Sequence, residues 1–160
     1  MATLARTLRP FLRSVRGQIR NYAEASGSDM KFTFAGANQV FYESADVKQV
    51  DVPSFSGAFG ILPHHVPTLA VLKPGVVTVH EQSGEIKKVF VSSGTVTINE
   101  DSSVQILAEE AHLVENLDGS AARDILSKAQ QQLSSASSEV EKAEAAIAVE
   151  VAEALVAASA

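Results

Sequence analysis

Four histidines, His64, His65, His80 and His112, and the carboxylate pair Glu109-Glu110 are the residues whose types and spacing come closest to chemistry in this 160-residue chain. Adjacent residues on an extended backbone point to opposite faces, so His64 and His65 make a poor chelate, and His80 and His112 are far away in sequence. A surface or packing role is expected for all four. Glu109-Glu110 fails as an acid/base dyad for the same geometric reason, and reads as a solvated run at a strand end. The chain has no cysteine, which excludes disulfides and thiolate metal sites. It also has no phosphate-binding loop, no G-x-G-x-x-G, no nucleophile-elbow serine and no pair of histidines at metal-binding spacing on a helix. The expectation is a non-catalytic chain without metal or cofactor.

The elements that would position any site fall into segments of different composition. Arg6, Arg9, Arg13, Arg16 and Arg20 alternate with Leu4, Leu8, Phe11, Leu12, Val15 and Ile19, and no acidic residue precedes Glu24. On a helix this spacing gives one basic and one apolar face, the composition of a mitochondrial transit peptide. Residues 1–22 are therefore expected to be a removable leader with a cut after Tyr22, and 23–30 a small, polar lead-in. The whole chain carries a net charge of −6. Without the leader, eight basic residues face 19 acidic ones, a net charge of −11 that disfavours nucleic acid as a partner. No run of about 18 apolar residues occurs, so no membrane-spanning helix is expected.

Between Lys31 and Glu115, short runs rich in Val, Ile, Phe and Thr are separated by Gly, Pro, Asn, Asp and Ser, the punctuation of strands and turns. Expected strands are Lys31–Ala35, Gln39–Ser44, Val47–Val52, Gly60–Leu62, Thr68–Leu72, Val76–Glu81, Lys87–Ser92, Thr95–Asn99 and Val104–Glu109. Alternation is clearest in Thr95–Asn99 and in Val104-Gln105-Ile106. Gln82-Ser83-Gly84 and Asn99-Glu100-Asp101-Ser102 read as hairpin turns. So many short strands in residues 31–116 predict an all-β sandwich or flattened barrel, largely antiparallel. Phe55 to Leu69 breaks the rhythm. Gly57 and Gly60 permit positive φ or close approach, and Pro63 and Pro67 fix φ and remove amide donors, which predicts a loop of defined contour.

Beyond Leu117-Asp118-Gly119-Ser120 the period changes. Ala122, Leu126, Ala129, Leu133 and Ala136 recur at spacings of four and three, the seam of a helix. The serine cluster Ser134–Ser138 interrupts it, and Ser138 with Glu141 forms a capping-box signature for a second helix. The apolar face expected there comprises Val140, Ala143, Ile147, Val151, Ala154 and Leu155. Residues 117–160 are thus expected to form an antiparallel helical hairpin, with a seam so thin that it needs a surface to dock on.

Several segments in order carry a resemblance. Gly60-Ile61-Leu62-Pro63-His64-His65-Val66-Pro67-Thr68-Leu69, Leu72-Lys73-Pro74-Gly75, Phe90-Val91-Ser92-Ser93-Gly94 and Leu107-Ala108-Glu109-Glu110-Ala111, followed by a helical hairpin, resemble the family of mitochondrial ATP synthase delta subunits. These are the counterparts of the bacterial and chloroplast epsilon subunits. The resemblance implies a β-sandwich of about ten strands with a two-helix tail. It further implies a non-catalytic central-stalk subunit of the rotary, proton-driven ATP synthase on the matrix side of the mitochondrial inner membrane. The implied partners are the gamma subunit, the small mitochondrial epsilon subunit and the ring of c subunits. By position, the family's ring-facing residues fall on Ser56, Gly57, Ala58, His64 and His65. Gly57-Ala58 stands where bacterial relatives often carry an acidic residue, which shifts weight from side chains to backbone shape. Some bacterial relatives bind ATP between the helices through an (Ile/Leu)-Asp-x-x-Arg-Ala motif and so act as nucleotide-sensing regulators with a moving hairpin. Here Arg123 follows Leu117-Asp118 two positions late, about 200° around a helix, so ATP binding is not carried over.

Overall fold

The computed structural model describes residues 30–160, and the expected leader and nearly all of the lead-in lie outside the described residues. The β region is built from β1 (Met30–Gly36), β2 (Val40–Ser54), β3 (Gly57–Ile61), β4 (Thr68–Leu72), β5 (Gly75–Glu81), β6 (Ile86–Val91), β7 (Gly94–Ile98), β8 (Val104–Ala108) and β9 (Ala111–Leu113). A single 3-10 turn, Val114–Asn116, leads to α1 (Gly119–Ser135) and α2 (Glu139–Ala158).

Period two is visible in the burial. Met30, Phe32 and Phe34 of β1 are wholly buried while Lys31 is exposed, and Val104, Ile106 and Ala108 of β8 are buried while Gln105 and Leu107 are not. The strand order is β1-β8-β7-β4-β2-β5-β6-β9, with β3 added on β2 and β1 also paired to β2, so part of the ladder closes on itself. β1 and β8 are parallel; the other pairs are antiparallel. The enclosed core is aliphatic, with an aromatic group at one end: Phe32 stands 5.3 Å from Tyr42, and Phe34 stands 5.0 Å from Phe41, ring centre to ring centre.

Two expected strands, Gln39–Ser44 and Val47–Val52, are one. The cause is a β-bulge. Phe32 pairs with Ala45 but Phe34 with Tyr42, so β2 carries an extra residue, and Ser44 takes up a φ of 47° while its N–H bonds Thr33 Oγ1 at 3.2 Å. The break expected between Ser44 and Val47 is therefore a bend in a continuous strand. The strand also runs through Pro53, which pairs with Ala58, to Ser54. Nine strands result where the resemblance implies about ten, and the short β9, paired with β6, is one the sequence runs do not include.

The helices begin where expected. Asp118 caps α1, its carboxylate accepting from the N–H groups of Ser120 (2.8 Å) and Ala121 (3.3 Å). Ser138 and Glu141 complete the capping box of α2. Of the expected α1 seam Ala122 and Ala129 are buried while Leu133 is exposed, and the α2 seam does not fall on Val140 and Ile147. Ala145 and Ala152 are the buried residues of α2, and Val140 and Ile147 are 68% and 63% exposed. Alanines seven apart on both helices let the backbones approach closely, and this outcompetes a face chosen for side-chain size. The C-terminal end of α2 returns to the start of α1, where Ser159 lies against Gly119, and α2 touches β5. The larger aliphatics on its outer side stay uncovered.

Candidate functional site

The segment from Phe55 to Leu69 is more regular than its Gly and Pro content predicts. Its first part is strand β3, hydrogen-bonded along β2 from Ser54↔Gly57 to Val50↔Ile61. The two glycines are required for different reasons. Gly57, in the tight β2–β3 turn, has a φ of +119°, with open space where a Cβ would stand. Gly60 lies across from Asp51, and a Cβ there would come within 2.8 Å of Asp51 Oδ1 and 3.3 Å of Gln49 Nε2. Asp51 is held in place by Gln49 Nε2 (2.6 Å) and by His80 Nε2 (2.9 Å), which gives His80 a role as a cross-strand partner.

The true loop is Leu62–Pro67. His65 N–H donates to Leu62 O at 3.1 Å, closing a turn with Pro63 second and His64 third, and His64 has a φ of 62°. Proline followed by a positive-φ residue is the signature of a type II turn, with His64 in the place glycine usually holds. The neighbouring rings then diverge. His65 packs its ring 5.9 Å from that of Phe59, and its Nδ1 lies 2.8 Å from Val66 O. His64 faces the β7–β8 turn instead, where its N–H donates to Ser102 Oγ (3.1 Å) and its Nδ1 lies 3.3 Å from the same oxygen.

Four of the five residues assigned by the resemblance therefore come together. Ser56, Gly57, Ala58 and His65 line a shallow cavity of about 390 Å³, shared with Phe59, Thr68, Leu69 and Ala70. His64 is turned away from it. What the sequence reading missed is the apolar surface around this cavity. Phe55, Leu62, Val66, Leu69 and Val71 are all more than half exposed, Leu69 and Val71 from β4. A signal for them existed, since between Asp51 and Lys73 the chain has no Asp, Glu, Lys or Arg. Exposed apolar side chains concentrated in one stretch without charge are of the kind that interaction surfaces use.

The charged groups gather elsewhere. Glu81 accepts from Tyr42 Oη and from Lys87 Nζ, both at 2.9 Å, and Lys87 also lies 5.7 Å from the centre of the Tyr42 ring. The bond from Lys87, then that from Tyr42, holds the Glu81 carboxyl below its ordinary range, while partial burial, reinforced by Glu81, pushes the Tyr42 hydroxyl up. Glu109 accepts from Ser93 Oγ at 2.9 Å. Among the described residues no three His, Cys, Asp or Glu side chains converge as metal ligands, and no helix is long and apolar enough to cross a membrane.

Comparison with known proteins agrees with this architecture. The family model described as "ATP synthase, Delta/Epsilon chain, beta-sandwich domain" matches residues 29–114, and that of the C-terminal domain of the metazoan delta subunit of F1F0-ATP synthase matches residues 117–158. The mitochondrial ATP synthase subunit delta of Caenorhabditis elegans is 50% identical over 134 residues, which is 84% of this chain and 82% of that protein. The subunit of the same name from Kluyveromyces lactis is 45% identical over 154 residues, covering 96% and 95%. A chain in the mitochondrial ATP synthase structure of Euglena gracilis superimposes with a TM-score of 0.75 at 24% identity, covering 85% of this chain and 86% of that one, and shares the fold. A continuous match through sandwich and hairpin, at up to half identity, leaves one assignment: this chain belongs to the delta/epsilon family of ATP synthase subunits.

Proposed function

We propose that this chain is a non-catalytic central-stalk subunit of the mitochondrial ATP synthase, on the matrix side of the inner membrane. It joins the gamma subunit and the small epsilon subunit to the ring of c subunits, so that rotation driven by proton flow reaches the catalytic sites. The observation that carries this reading, beyond family membership, is the cavity lined by Ser56, Gly57, Ala58, His65 and Leu69, in a stretch without Asp, Glu, Lys or Arg that also exposes Phe55, Leu62, Val66 and Val71. Exposed apolar side chains gathered in this way mark interaction sites. We assign this surface to the ring-facing contact. His64 belongs to the contact through its backbone and its hold on Ser102 rather than through a ring presented to the cavity.

The role asks for stiffness rather than chemistry. Both halves of the surface are fastened to the sandwich, the first by the β2–β3 ladder and the second by β4, which pairs along its whole length with β7. Torque applied there meets hydrogen-bonded strands, and the Leu62–Pro67 loop between them is itself tied to Ser102.

The test is purification of the ATP synthase from mitochondria carrying a tagged form of this chain. Co-migration with gamma, epsilon and the c ring is expected. With Leu69→Asp, the c ring should separate more readily while the isolated chain keeps its stability, and an unaltered complex would refute the assignment of this surface.

A further inference from the structure

Among the described residues two polar side chains are buried, Ser54 and Ser102, and each is bonded to one of the two segments that carry the apolar surface. Ser54, 1% exposed, donates its hydroxyl to Gly57 O at 2.7 Å and lies 2.9 Å from Ser56 Oγ, tying down the β2–β3 turn. Ser102, 6% exposed, accepts the His64 N–H at 3.1 Å and meets His64 Nδ1 at 3.3 Å, tying the Leu62–Pro67 loop to a turn 38 residues away. Among the described residues three that are not glycine have positive φ, namely Ser44, His64 and Ser102. Ser44 belongs to the bulge in β2; the other two, at 62° and 65°, bond each other. Two residues in an uncommon conformation, joined by their own hydrogen bonds, form a shape that neighbouring structure must enforce, and such shapes are kept where a contour matters.

We infer that Ser102 is a positioning residue for the ring-facing contact. Its hydroxyl sets the His64 turn and thereby the height of Leu62 and Val66 above the sandwich, while Ser54 does the same for Gly57. Neither serine touches the partner. This inference rests on the assignment of the surface as the ring contact. A buried hydroxyl in a turn also has a plain structural explanation, that it stabilises the β7–β8 hairpin, and glycine separates the two. At a φ of 65° glycine adopts the backbone of Ser102 more readily than serine does, so Ser102→Gly keeps the hairpin and removes only the hydroxyl.

The test uses Ser102→Gly in two settings. In the full chain, hydrogen exchange at the His64 amide should accelerate about tenfold as its acceptor is lost, with the thermal midpoint unchanged or raised. In the assembled ATP synthase, proton pumping per ATP hydrolysed should fall. Coupling equal to wild type overturns the proposal whatever the exchange shows, and a loss of coupling without faster exchange at His64 overturns it as well. Leu69→Asp separates this from the underlying assignment. If that variant pumps normally, the contact surface itself is wrong; if it uncouples while Ser102→Gly does not, only the positioning role fails.

Discussion

Gly60 on β3 faces Asp51 on β2 so closely that the smallest side chain at Gly60 would meet the Asp51 carboxylate at 2.8 Å. The β2–β3 ladder has room for the Asp51 carboxylate only because Gly60 has no side chain. Gly60→Val should displace Asp51 from Gln49 and His80 and loosen the β2–β3 ladder under the contact surface. A loss of about 1–3 kcal/mol in denaturant stability is expected, together with reduced coupling in the assembled enzyme. Gly57→Val tests a different property, because nothing lies near its Cβ; the cost there comes from the backbone alone, about 1–3 kcal/mol, and is confined to the turn.

Gly94 opens β7 opposite Ala108, and a Cβ there would run into the Leu107 carbonyl and the Ala108 Cα. Backbone atoms in a ladder cannot step aside as a flexible side chain can. Gly94→Ala should therefore destabilise the sandwich by more than about 2 kcal/mol, read as a lower thermal midpoint, whereas Gly84→Ala in the exposed β5–β6 turn should cost about 1 kcal/mol.

The Glu81, Tyr42 and Lys87 cluster makes stability depend on pH at both ends. The folded state lowers the Glu81 pKa from its ordinary 4.5, so its contribution is present above that value and fades as pH falls through the lower folded pKa. Tyr42 and Lys87 are both raised, from 10.0 and 10.5, so their contributions are present below those values and are lost as pH climbs through the raised ones. Glu81→Gln should flatten the acid limb of a thermal midpoint against pH curve, and an unchanged acid limb would show that the ion pair does not contribute.

On α2, size and burial are inverted. Ala145→Leu should force the helices apart and lower hairpin stability by about 1–3 kcal/mol. Ile147→Ala, which removes a much larger exposed group, should change the isolated chain by less than about 0.5 kcal/mol. Helicity followed by circular dichroism through a thermal melt distinguishes the two.

The contrast between these helices also marks what was legible in the sequence. Alternation in β7 and β8 and the capping box of α2 depend on neighbours in the chain, and those elements stand close to where the pattern puts them. The failures involve choices settled at long range. Ser44 reads as the end of one strand, and only pairing with β1 makes it a bulge inside a longer one. Val140 and Ile147 read as a seam because they are large, and only the alanines of α1 decide otherwise. Thr68–Leu72 reads as a strand without showing which face is inward, and only the placement of β4 turns Leu69 and Val71 outward. The five site residues were reached through resemblance, and the sequence alone had no means of sending His64 toward Ser102 and His65 toward Phe59.

Strand β2 pairs with β1, β3, β4 and β5, segments spread from Met30 to Glu81. Such a strand cannot be assembled piecemeal. Until it is placed the four neighbours lack a shared edge, and once it is placed a slip by one residue would turn Val50 and Val52 outward. The sandwich should therefore appear and vanish as one cooperative unit, with amide protection along β2 lost only in global unfolding, while the hairpin, bound chiefly to itself, opens first and on its own schedule.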